Sequence, residues 1–90
     1  MTVMEETKEA KSQLWAEIAG WYGTAAIVLA YALVSFDVVS AESTAYQLLN
    51  LTGALGIVVI AAVKGVRQPL LLNIFWAVIA LVALIRIYIG

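Results

Sequence analysis

Residues 45–63 read AYQLLNLTGALGIVVIAAV, nineteen in a row without a charge. The stretch is apolar on every side and shows no two-residue alternation, which excludes a half-buried strand. As a helix rising ~1.5 Å per residue it is about 28 Å long, close to the ~30 Å thickness of a bilayer's hydrocarbon core. The reading it dictates is a helix that crosses a membrane.

Two further stretches have the same character, Ile18–Phe36 before it and Pro69–Ile85 after it. The charged residues fall in the gaps. Glu5, Glu6, Lys8, Glu9, Lys11 and Glu17 open the chain, Asp37 and Glu42 fill the first gap, Lys64 and Arg67 fill the second, and Arg86 stands near the end. Of the 90 residues, 64% are hydrophobic and 12% charged, against about 25% charged in a soluble domain. The fold class expected is all-α and integral to the membrane: a bundle of three transmembrane helices at about 18–36, 45–63 and 69–88, preceded by a cytoplasmic segment over 1–17, whose helix-prone residues 1–16 extend the first helix, and assembled as a homo-oligomer. A membrane sheet of three strands would leave open edges in lipid.

Short connections make consecutive helices antiparallel neighbours. Ser40 or Ser43 can cap the second helix, and Pro69 suits the first position of the third, where its missing N–H costs nothing. The side holding the N-terminus and the second gap carries Lys8, Lys11, Lys64 and Arg67, whereas the other carries Arg86 alone. By the positive-inside rule the N-terminus lies in the cytoplasm and the C-terminus outside, in a bacterial cytoplasmic membrane. Trp15, Trp21 and Tyr22 then mark the inner interface, and Tyr46 and Tyr88 the outer one. Reading the first helix as a cleaved signal peptide fits poorly, because its leader is acid-rich and its apolar run is long.

Composition also excludes functions. The chain has no Cys and no His, which removes thiol and imidazole chemistry and the commonest metal ligands. No catalytic residue, metal site or cofactor is expected, and five dispersed basic residues make no nucleic-acid footprint. Ion-coupled pumps generally keep an ionisable group at depth. Here the middle of every span is uncharged, with Glu17 at the membrane edge.

The polar residues inside the spans are neutral, and the candidates for lining a substrate path are Asn50, Asn73, Trp76, Tyr31 and Thr24. Thr24, Tyr31 and Ser35 share one face of the first helix. An unsatisfied amide in lipid costs a few kcal/mol, so Asn50 and Asn73 need partners, either across helices or in a solute. Trp76 lies about 10 Å into the third helix, too deep for an interfacial anchor, and therefore belongs to a subunit contact or a cavity. Gly23, Ala26, Ala30, Gly53, Gly56, Ala77 and Ala80 read as helix-packing surfaces, small residues at three- and four-residue spacing. Leu48-Leu49-Asn50-Leu51-x-x-Ala54-Leu55 is echoed 23 residues later by Leu71-Leu72-Asn73-Ile74-x-x-Ala77-Val78.

Across Ile18 to Ile87, four segments carry a resemblance: Gly20-Trp21-Tyr22-Gly23, Ala30-Tyr31, Tyr46-Gln47-Leu48-Leu49-Asn50-Leu51-x-Gly53-Ala54 and Leu72-Asn73-x-x-Trp76. Together they resemble a family of small, mostly uncharacterised, permease-like bacterial membrane proteins. The resemblance implies a stand-alone three-helix protein and supplies no reaction. More distantly, the layout from Gly53 through the Lys64–Gln68 turn to Pro69-Leu70-Leu71-Leu72-Asn73 is similar to the semiSWEET transporters of the PQ-loop group. That resemblance implies a homodimer around a central sugar path, with Asn73 as the counterpart of a site asparagine. The group's Pro-Gln pair is missing from the first helix, where Leu33, Val34 and Ser35 stand, and the tryptophan is on the third helix rather than the second.

Three helices cannot enclose a water-filled path alone, so transport requires an oligomer, most simply a symmetric dimer. The function expected is a homo-oligomeric carrier of a small neutral solute in the lipid bilayer. The alternative is an accessory or regulatory subunit packed on a larger membrane complex.

Overall fold

A computed structural model describes the backbone of residues 3–90, with the side chains of Lys11 and residues 13–90. Three α-helices account for nearly all of it: α1 (Val3–Ser35), α2 (Thr44–Lys64) and α3 (Arg67–Ile89). Each contains a stretch long and apolar enough to cross a membrane, at Gln13–Ser35, Thr44–Lys64 and Arg67–Ile89. This is a membrane protein.

The helix starts differ from the sequence boundaries for identifiable reasons. α1 begins well before residue 18, because the polar leader continues the same helix without a break. Its 33 residues make about 50 Å of helix, so α1 alone accounts for most of the 53 Å long axis of the molecule. α3 begins at Arg67, two residues before Pro69. Pro69 is still within the first four helical positions, whose N–H groups have no intrahelical partner. Its ring therefore displaces no hydrogen bond.

Both turns close with the same device. After α1, Asp37 takes a left-handed conformation (φ 60°), the Asp37 N–H donates to the Val34 carbonyl at 3.1 Å and the Val38 N–H to the Leu33 carbonyl at 2.8 Å. After α2, Gly65 (φ 70°) donates to the Ala62 carbonyl at 3.2 Å, and Val66 to the Ala61 carbonyl at 2.9 Å. These paired bonds satisfy carbonyls that the helix end would leave bare. Of the two serines able to cap α2, Ser43 does so: its hydroxyl oxygen accepts from the Tyr46 N–H at 3.2 Å.

α2 is the middle element. It packs on α1 along one side and on α3 along another, while among the described residues no Cα of α1 comes within 8 Å of a Cα of α3. The α1 contact is built from backbone. Gly23 meets the Gly53 carbonyl and Gly56 meets the Ala19 carbonyl, and a Cβ at Gly20 would come within 2.7 Å of Ile60 Cγ2. The α3 contact uses Asn73, Ala77, Ala80 and Leu84, buried at helical spacing on the side that packs against α2. Ala54 and Ala77, each ten residues from its end of the turn, are both buried. Small residues at these points let the helix axes approach closely, which is how helices associate where lipid offers no hydrophobic driving force.

Candidate functional site: an open face between α1 and α3

The exposed stripe of α2 is Leu48, Thr52, Leu55 and Val59, at four- and three-residue spacing. On the opposite side, the α1-facing row (Gly53, Gly56, Ile60) and the α3-facing row (Asn50, Ala54, Ala61) diverge around the helix. Half-buried Tyr46 lies between these rows, and Ile57 belongs to the α1 contact, its Cγ1 3.0 Å from where a Cβ on Gly23 would stand. α1 and α3 thus flank α2 on its concave side and leave a membrane-embedded face open between them.

Helical spacing assigns the flanks. Glu17 of α1 pairs with Lys64 of α2 at 2.6 Å, and both lie on the concave side, where the ion pair joins α1 to α2 at the Lys64 end of the face. Thr24 and Tyr31 follow Glu17 at seven-residue intervals on the same side of α1. Both are exposed, Tyr31 by 73%. From α3, Trp76 borders the opposite flank and is 44% exposed. The structure therefore places Thr24, Tyr31 and Trp76 around one open face, with Asn50 at the inner edge of its α2 floor.

The asparagines are the exception to the sequence expectation. Asn50 and Asn73 are only 5% and 7% exposed, but neither amide bridges two helices. Asn50 Nδ2 donates to the Tyr46 carbonyl at 3.2 Å, and Asn73 Nδ2 donates to the Pro69 carbonyl at 2.8 Å. Each amide bonds within its own helix, four residues back. Asn73 faces α2 directly, near the Lys64 end, while Asn50 sits towards the other end. The two do not converge on one ligand. Hydroxyls follow the same local pattern: Thr24 Oγ1 donates to the Gly20 carbonyl at 2.9 Å and Thr52 Oγ1 to the Leu48 carbonyl at 2.8 Å. Back-bonding of this kind is how a lone hydroxyl is tolerated in lipid.

On the convex side, Tyr22 and Thr52 share a hydrogen bond of 2.6 Å across the α1–α2 seam. Because the Thr52 proton is committed to Leu48, Tyr22 is the donor. This bond and the Glu17–Lys64 pair are the polar side-chain links between helices among the described residues. Gly23, Ala26, Ala30, Gly53, Gly56, Ala77 and Ala80 are all buried. Sequence reasoning passed over Gly20, Ala54 and Ala61, which are buried beside them. The Gly20-x-x-Gly23 and Gly53-x-x-Gly56 pairs, one on each partner helix, were the available signal.

No group of three or more potential ligands among His, Cys, Asp and Glu is arranged to hold a metal among the described residues. Compared with known proteins, residues 16–90 match the model of an uncharacterised family with a bacterial name. No curated protein and no solved structure matches the chain, and nothing in these comparisons ties it to the semiSWEET transporters.

Proposed function

From the premise that the chain belongs to this uncharacterised, bacterial-named family, we propose that it is one protomer of a homo-oligomeric membrane carrier for a small neutral solute. The observation that carries the reading is the open face between α1 and α3, two helices that flank α2 with no Cα pair within 8 Å of each other among the described residues. A row of three helices has no interior. Bringing two such faces together, most simply about a two-fold axis, creates one.

The chemistry of the face argues for the class of solute. Beyond the Glu17–Lys64 pair at its end, its polar groups are a phenol, a hydroxyl, an indole and an amide from Tyr31, Thr24, Trp76 and Asn50, all uncharged. Transport of ions or coupling to protons draws on ionisable groups at depth, and the mid-span positions here hold none. In this reading the Lys64–Arg67 turn faces the cytoplasm of a bacterial cell, as the excess of basic residues on that side supports.

The test is native mass spectrometry from mild detergent and from lipid nanodiscs, followed by solute uptake into liposomes. A closed dimer in both media, with uptake that Trp76→Ala reduces, is the expected result. A monomer in both media overturns the carrier. It favours the alternative, in which a larger membrane complex supplies the helix that fills the same open face.

A further inference from the structure

At the end of the molecule away from the Glu17–Lys64 pair, a cavity of about 570 Å³ opens between the α1–α2 turn and the last turns of α3. Its volume falls within the ~300–1,000 Å³ range of small-molecule sites. Glu42 and Gln47 line it from the turn and the start of α2, and Ala83, Ile85, Arg86 and Ile87 line it from α3. One wall therefore carries a carboxylate and the Gln47 amide, another a guanidinium with Gly90 beside it, and the remaining side chains are aliphatic.

Two features give this open cleft its chemistry. Arg86 is the only basic residue at this end of the molecule among the described residues, and it makes no ion pair there, with Glu42 or any other group. The Gln47 amide is already turned back on the turn, its Nε2 donating to the Ala41 carbonyl at 2.9 Å, which leaves its oxygen as an acceptor. The site thus offers a fork of cationic donors at one point and acceptors at another, with aliphatic side chains of the last turns of α3 beside them.

We propose that this cavity binds the headgroup of a zwitterionic phospholipid bearing a primary ammonium, with the phosphate on Arg86 and the ammonium on Glu42. A guanidinium presents planar, paired donors that match phosphate oxygens. A primary ammonium donates hydrogen bonds to a carboxylate, which a quaternary choline cannot do. The aliphatic wall accepts the first part of an acyl chain, so an amphiphile fits the site better than a wholly soluble solute. Its position at a span end is the depth at which lipid phosphates lie. The inference needs only the membrane setting and is independent of the carrier reading.

The experiment is native mass spectrometry of the full chain with phosphatidylethanolamine, phosphatidylcholine and phosphatidylglycerol of identical acyl chains, counting lipid retained as detergent is stripped. Wild type is expected to hold one phosphatidylethanolamine roughly three- to tenfold more persistently than phosphatidylcholine, the range for charged hydrogen bonds at a partly exposed site. Arg86→Gln removes retention of all three lipids at this site. Glu42→Gln abolishes the preference for ethanolamine over choline and spares phosphatidylglycerol. Both side chains are exposed, and circular dichroism on each variant checks that the helices persist. Equal retention of the three lipids, or an unchanged profile in Arg86→Gln, overturns the site and leaves only unselective lipid around the helices. Phosphatidylglycerol held above phosphatidylethanolamine overturns the role given to Glu42.

Discussion

Gly23 of α1 and Gly53 of α2 meet backbone to backbone, and a methyl group at position 23 would collide with the Gly53 carbonyl oxygen. A carbonyl inside a helix cannot swing aside as a flexible side chain can, so the collision is relieved only by moving one helix. Overpacking of this kind typically costs about 1–3 kcal/mol. Gly23→Ala is expected to lower stability by about that amount, and Gly23→Leu to separate α1 from α2. Unfolding of the detergent-solubilised chain by a denaturing detergent, read by circular dichroism, measures the first. Crosslinking between cysteines placed on α1 and α2 measures the second.

Gly65 presents the opposite case. Nothing lies within 4 Å of where its Cβ would be, so Gly65→Ala meets no steric obstacle; its cost is a left-handed backbone, ~1–2 kcal/mol, offset in part by the freedom that alanine removes from the unfolded chain. Asp37 already holds that conformation with a side chain. In Asp37→Gly the relief of backbone strain is offset by the ~0.5–1 kcal/mol of freedom that glycine gives the unfolded chain. Stability within about 0.5 kcal/mol of wild type is expected there, against a clear loss for Gly65→Ala in the same unfolding assay.

Because Asn50 and Asn73 bond to carbonyls of their own helices, neither one cross-links the bundle. Asn50→Leu and Asn73→Leu are each expected to shift stability by no more than about 1 kcal/mol, and by similar amounts, as interhelical glue is not being removed. The same unfolding titration on both variants checks this. A loss of several kcal/mol at one asparagine alone would show that it holds a partner other than its own backbone.

The Glu17–Lys64 pair is short at 2.6 Å, but both side chains are largely exposed. Exposed ion pairs typically contribute 0.2–1 kcal/mol. A double-mutant cycle with Glu17→Gln and Lys64→Gln is expected to return a coupling in that range. Repeating it at high salt should reduce the value, because screening shortens the reach of exposed charges.

Much of the architecture follows from where charges are missing. An ionised side chain left in hydrocarbon is costly, so three uncharged stretches separated by charged gaps leave three membrane helices as the economical solution. Turn chemistry was legible for the same local reason: Ser43 can cap only the helix that follows it, and Gly65 can take a left-handed φ without strain. The N-terminal extension of α1 was legible as well, since the helix-forming polar residues before the apolar stretch carry no stop signal.

The side on which each helix meets its neighbour was a different kind of question. Short turns make α1–α2 and α2–α3 adjacent but leave open whether α1 touches α3. That depends on how far apart the two contact rows lie around α2, and small residues occur on several faces of every helix. Only packing selects Gly53 and Gly56 for α1 and Asn50, Ala54 and Ala61 for α3, rows divergent enough to hold the outer helices apart. The fate of the asparagine amides was decided the same way: a side chain that can reach either a neighbouring helix or its own carbonyl four residues back bonds whichever the packed geometry brings closer. Charge and hydropathy act through solvent and need only the chain, whereas helix order and the open face between α1 and α3 arise from the fit of two surfaces, which exists only once both are folded.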